Sequence, residues 1–207
     1  MGDRVVSAAL QMATSFPHLD AYVAGLPEGL DSHPEHFAKS ALVRSLMNDP
    51  LRACVDEVPA CLRELVRNPP PASSWVRQTH AHAIAQLARD IAFGSDAEFA
   101  AFCYEQQRAL FSSSLYRLLM RCTSPSRVLT TVQRRWSAFN RGTSVVAMIS
   151  GSAGRLCIEH PTGLFDPITR IAVSEALRAT LDLSRASEPK VALGRCTPSR
   201  TEIHAEW

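Results

Sequence analysis

The chain has 207 residues, 46% of them hydrophobic and 20% charged, with 22 basic against 20 acidic side chains. That length suits a single domain with a sizeable core, and a net charge of +2 with no basic block excludes the electrostatic footprint of a nucleic-acid or anionic-membrane binder. Apolar runs such as Val145 to Ile149 fall far short of the roughly 20 residues of a membrane span. The N-terminal MGDRVVSAALQMA has too short an apolar region for a secretory signal, and six scattered cysteines without a CxxC pair read as reduced thiols in a cytoplasmic protein.

In chain order, Leu19, Tyr22, Val23 and Leu26 lie at spacings of three and four, which predicts a short helix ended by Pro27. Ser32-His33-Pro34-Glu35 has the form of a capping box. It predicts a helix running to about Asn48 with Ala38, Leu42 and Leu46 on one face. Asp49-Pro50 starts the next helix, with Cys54, Val58, Cys61 and Leu65 on a common face and Pro59 kinking or splitting it. The Asn68-Pro-Pro-Pro run predicts a stiff connector within one fold.

Residues 75 to 93 predict a helix stopped by Gly94. A second capping box, Ser95 to Glu98, opens a helix that buries Phe99, Phe102, Cys103, Gln106 and Leu110. Ser112 to Ser114 break it, and a short helix follows through Leu115, Leu118 and Leu119. Ser124-Pro125 starts another, with Val128, Leu129, Val132, Trp136 and Phe139 at helical spacing. Asn140-Arg141-Gly142 then turns the chain.

From Thr143 the pattern changes. TSVVAMIS, the turn GSAG and RLCIEH predict a hairpin, Asp166 to about Ser184 a long helix, and KVALGRC with TEIHAEW a second hairpin. In the last strand Ile203, Ala205 and Trp207 alternate with Glu202, His204 and Glu206, the period of a strand with one buried face. The fold class is therefore α+β. A helical part, residues 1–140, packs on a small antiparallel sheet of two hairpins flanking one long helix, residues 141–207, in a single domain.

No stretch spells out a chemistry. Seven histidines invite a metal, yet none has zinc-ligand spacing. His80 and His82 sit two apart and point about 200° apart on a helix. His80 is in line with Ile84, Leu87 and Ile91 and faces the core, whereas His82 lines up with Gln86 and Arg89 and is solvated. His33 and His36 read as a solvated helix start. There is no GxSxG elbow and no phosphate loop. Cys157 and Cys196 read as packing or edge positions, and Glu202 with Glu206 as the solvent side of a strand. Arg134, Arg135 and Arg141 around Trp136 form the most basic patch, read as solvated arginines over a buried Trp136 and Phe139. No cofactor and no metal set is expected.

The segments FGSDAEFAAFCYEQQRALFSSSLYRLLM, SPSRVLTTVQRRWSAFNRG and the terminal EIHAEW resemble a paralogous bacterial family of unknown function that pairs a helical part with a sheet ending on Trp. The order of helices followed by hairpin–helix–hairpin, over roughly residues 90–207, is also similar to the 4-vinyl reductase and heme-nitric-oxide-binding group of sensor domains. That resemblance implies a small-molecule sensor. The Tyr-x-Ser-x-Arg motif of the heme-binding members is absent, and Tyr116-Arg117 does not supply it.

The resulting expectation is a non-catalytic cytoplasmic sensing or regulatory domain that binds a small apolar ligand between helices and sheet. Trp75, His80, Phe102 and Trp136, large residues on apolar helical faces, are the candidate pocket walls, with His80 as the polar handle. Plain core packing competes for each of them. The alternative is a protein-interaction module or homodimerising scaffold with a filled core, using a helix face or TEIHAEW at a sheet edge. A thiol-dependent enzyme using Cys103 or Cys157 is a third reading.

Overall fold

Pro167–Asp182 forms the longest helix of the chain's second half, and it joins two hydrophobic cores. Asp166 caps it by accepting the Thr169 N–H at 2.9 Å, with Pro167 in the first turn where its missing N–H costs nothing. Ile168 near its start is buried in the first core, while Leu177 and Leu181 are buried in the second.

The computed structural model describes residues 15–110, 120 and 122–207. The chain is α+β. Among the described residues the helices are α1 (Pro17–Ala24), α2 (Ser40–Leu46), α3 (Asp49–Ala53), α4 (Ala60–Arg67), α5 (Gln78–Ala92), α6 (Asp96–Leu110), α7 (Pro125–Phe139) and α8 (Pro167–Asp182). The strands are β1 (Pro27–Leu30), β2 (Phe37–Lys39), β3 (Trp75–Arg77), β4 (Asn140–Arg141), β5 (Ser144–Ser150), β6 (Ala153–Glu159), β7 (Lys190–Leu193) and β8 (Arg200–Glu206).

The two hairpins are as the alternation predicts. They join through β6 and β8 into a four-stranded antiparallel sheet of order β5-β6-β8-β7. Cross-strand partners Leu156 and Ile203 are both buried, as are Ile158 and Thr201. Val128 and Leu129 of α7 close over this face, with Leu129 fully buried. Each such aliphatic side chain contributes roughly 1.5–3 kcal/mol by leaving water. Ser124 caps α7 by accepting the Arg127 N–H, as its sequence position predicts.

A second sheet was not legible in the sequence. It has the order β3-β2-β4, antiparallel throughout. Its existence corrects three expectations. Ser32 caps no helix; its hydroxyl accepts the Glu28 N–H at 2.8 Å, and residues 37–39 are extended. Trp75 sits in a strand ahead of α5, not on a helix. Asn140-Arg141 pairs with β2, so it is a strand before the turn at Gly142.

Faces shift as well. Val43, Leu62 and Val66 are buried where Leu42, Cys61 and Leu65 were expected, and Leu42 is exposed. Pro59 does split α3 from α4. Ser95 accepts the Glu98 N–H, but Glu98 reaches back to the N–H of Gly94 and not to that of Ser95. Phe99 and Cys103 are buried, whereas Leu110 is exposed. Phe139 is exposed too, so Trp136 alone of that pair packs against the sheet core. The expected break at Ser112–Ser114 and the helix through Leu115, Leu118 and Leu119 lie outside the described residues.

Candidate functional site

The loop from His160 to Asp166, between β6 and α8, is where the helical part meets the four-stranded sheet. The Leu164 carbonyl accepts from His82 Nδ1 at 2.8 Å and from the Tyr22 hydroxyl at 3.4 Å. His33 Nε2 donates to the Thr162 carbonyl at 3.0 Å. Three separate segments of the helical part thus hold one loop.

The aromatic contacts follow the same line. Phe165 stacks on His160 at 4.5 Å and meets His82 edge-on at 5.1 Å. His160 Nδ1 donates to the Pro161 carbonyl at 3.0 Å, which fixes the neutral tautomer and leaves Nε2 to accept the Thr201 hydroxyl at 3.0 Å. Burial holds both His160 and His82 below the usual histidine value, because a charged ring would lose its hydration. Burial and the nearby Asp166 push the Tyr22 phenol up.

Beside this loop lies an open cleft of about 470 Å³ at the seam of the two sheets, lined among others by His36, Gly142, Ser144, Glu159, His160 and Ser199. Gly142, at φ +86°, makes room for the His36 ring; a Cβ there would stand 2.6 Å from His36 Cδ2. His36 Nδ1 is buried and has no hydrogen-bond partner. Burial lowers the His36 pKa, with the Gly142 carbonyl pulling partly the other way. The cleft therefore offers one carboxylate and several hydroxyls beside the His36 and His160 rings, a surface suited to hydrogen bonding.

The four candidate wall residues stand apart from one another. Trp75 is half-buried on the three-stranded sheet, under Lys39 and Arg141. His80 is half-buried near Arg77 and Asp31, its pKa lowered by burial first and by the Arg77 charge second. Phe102 packs on Phe93, ring centroids 5.0 Å apart, against the first core. Trp136 packs against the second core and donates its indole N–H to Thr143 at 3.0 Å. None of the four lines the cleft.

The expected orientation of the α5 histidines is reversed in its consequence. His82, read as solvated, makes the buried contacts that hold the 160–166 loop. The reason is that α5 is buried on most of its circumference, from Ala83 to Ala88 without a break, so no single stripe marks its inner face. His36, His160 and Gly142 were not singled out as site residues; only the unusual His-x-x-His and Asn-Arg-Gly spellings hinted at them.

The remaining chemistry-bearing groups are engaged structurally. Burial pushes the Cys103 thiol up to about 12, away from the thiolate a nucleophile needs. Cys157 is buried and accepts from Arg200 at 3.2 Å. Glu202, expected on a solvated strand face, is 8% exposed and is held by Arg200 at 2.8 Å and Arg155 at 3.6 Å. Among the described residues no group of three or more His, Cys, Asp and Glu side chains is placed to hold a metal ion, and no helix is long and apolar enough to cross a membrane.

No protein-family model matches the chain, and no curated protein matches it. Among solved structures it is similar to a mutant of Cs H-NOX carrying 4-cyano-L-phenylalanine at site 5, with a TM-score of 0.51 and 11% sequence identity. The match covers 81% of this chain and 95% of that one. At this identity the likeness is one of fold.

Proposed function

We propose that the protein is a non-catalytic sensing or regulatory domain whose ligand lies in the cleft between the two sheets. One observation carries this reading: a cleft lined by His36, Ser144, Glu159, His160 and Ser199 opens at the seam of the two parts. The fold likeness to H-NOX, from the group of sensor domains the sequence resembles, supports the same class.

The ligand read from the sequence was apolar. The hydroxyls, carboxylate and imidazoles of the cleft favour a small polar one. They do not fit the flat apolar face of heme, and the chain has no Tyr-x-Ser-x-Arg cradle.

Native mass spectrometry of freshly purified protein, with an absorbance scan from about 300 to 700 nm, tests this reading. A retained small molecule lost in Glu159→Ala, which removes the carboxylate of the cleft lining, supports it. Retention unchanged in that variant moves the ligand elsewhere.

A second reading is favoured by the outer face of the four-stranded sheet, where Val146 and Met148 are 48% and 39% exposed. Exposed aliphatics on one sheet face suit a protein-interaction module. Sedimentation of the bare protein at rising concentration separates the two readings.

A further inference from the structure

We propose that the outer face of the three-stranded sheet, at Lys39, Trp75 and Arg141, docks an extended acidic segment of a partner protein. Ala38, Val76 and Asn140 are buried on the inner face of this sheet, so their neighbours Phe37, Lys39, Trp75, Arg77 and Arg141 share the outer one. Lys39 Nζ lies 3.9 Å from the Trp75 ring centroid and the Arg141 guanidinium carbon 4.0 Å from it. A single indole on the edge strand β3 therefore holds two cations, one from the neighbouring β2 and one from β4 beyond it.

Both cations keep donors to give. Stacking uses the flat face of a guanidinium and leaves its edge N–H groups open, and Arg141 is exposed. Lys39 donates to the Ser73 carbonyl at 2.5 Å, which leaves other ammonium protons. Neither is in an ion pair with a carboxylate among the described residues, whereas the neighbouring Arg77 is paired with Asp31 at 2.6 Å. Pairing two cations on one ring without a counter-charge brings like charges together, an arrangement that an anionic partner relieves.

Charge and alternation select the occupant. Residues i and i+2 of an extended strand project to the same side, so alternate carboxylates can both face the cations held 3.9 and 4.0 Å from one indole centroid. A Glu-x-Glu segment lying across the sheet face would place one carboxylate on each. Nucleic acid suits the site less well, because its recognition uses a long basic track and this chain carries 22 basic against 20 acidic residues. None of its cations lines the seam cleft.

The test is fluorescence anisotropy with a labelled peptide of alternating Glu and Ser, against an alternating Lys and Ser control. Saturable binding of the acidic peptide is expected, weakening at least about tenfold as salt rises from about 50 to 300 mM. Lys39→Gln with Arg141→Gln should weaken it at least about tenfold with an unchanged circular-dichroism melt, and Lys190→Ala on the other sheet should leave it as it was. Trp75→Leu, which keeps both charges and removes the ring, should also weaken it. The proposal is overturned by no saturable binding at low salt, by full binding in the double variant or in Trp75→Leu, or by a single-stranded oligonucleotide of equal charge binding more tightly than the peptide.

Discussion

Phe165 lies stacked on His160, with ring centroids 4.5 Å apart and 14° between the planes. His82 reaches the same phenyl ring from α5, its plane at 87° to the phenyl plane. This contact ties the helical part to the sheet, and it is built from two histidines that burial keeps neutral.

The fold should therefore weaken in mild acid. Histidines whose folded pKa is depressed contribute fully above the unfolded value of about 6.5, and that contribution is lost as pH falls through the lower folded values. His36 and His80, also lowered by burial, act in the same direction. Urea midpoints measured between about pH 7.5 and 5 should fall, and His82→Gln with His160→Gln should flatten the slope. An equal slope in that variant would remove the pair from the titration.

Asp90 caps α1 from far along the chain, 72 residues beyond His18. Its side chain is 2% exposed and accepts the backbone N–H groups of His18 and Leu19, at 3.1 to 3.2 Å, while His18 Nδ1 bonds the same carboxylate. Asp90→Ala should cost about 2 kcal/mol, from the lost cap and the donors left without an acceptor. Hydrogen exchange should rise first in α1. Uniform acceleration through the chain would instead mean that α1 opens only with global unfolding.

Gly142 and Gly151 separate backbone strain from a steric clash. Both have positive φ, +86° and +58°, but a Cβ at Gly151 meets nothing within 4 Å, whereas one at Gly142 meets the His36 ring. Gly151→Ala should cost about 1 kcal/mol and Gly142→Ala about 1–2 kcal/mol more. Chemical denaturation of the two variants measures the difference, and equal costs would mean that the ring moves aside freely.

Gln133 blunts the open edge of the four-stranded sheet. Its Oε1 accepts the Ala147 N–H at 2.6 Å from α7, on the side of β5 away from β6. β5 reads SVVAMIS, with no charge to deter pairing and with Val146, Met148 and Ile149 exposed. Gln133→Ala should free that edge amide and raise self-association. Sedimentation velocity over a concentration series reads this out; an unchanged mass distribution would show that the edge is protected by other means.

By itself the sequence determined the hairpin–helix–hairpin and most of the helices, because those segments are long enough for a period to show. Ile203 and Ala205 alternate with charged residues over a seven-residue strand, and Ser124-Pro125 and Asp166-Pro167 punctuate helices with local hydrogen bonds. Only the tertiary structure decided the three-stranded sheet and with it the candidate sites. Phe37–Lys39, Trp75–Arg77 and Asn140–Arg141 have two or three residues each, too few for any periodicity, and they are strands because distant partners supply their hydrogen bonds. The same holds for His36, His82 and His160. Each is an ordinary polar residue in its local stretch, and its role comes from a ring or carbonyl that chain folding carries to it from far away.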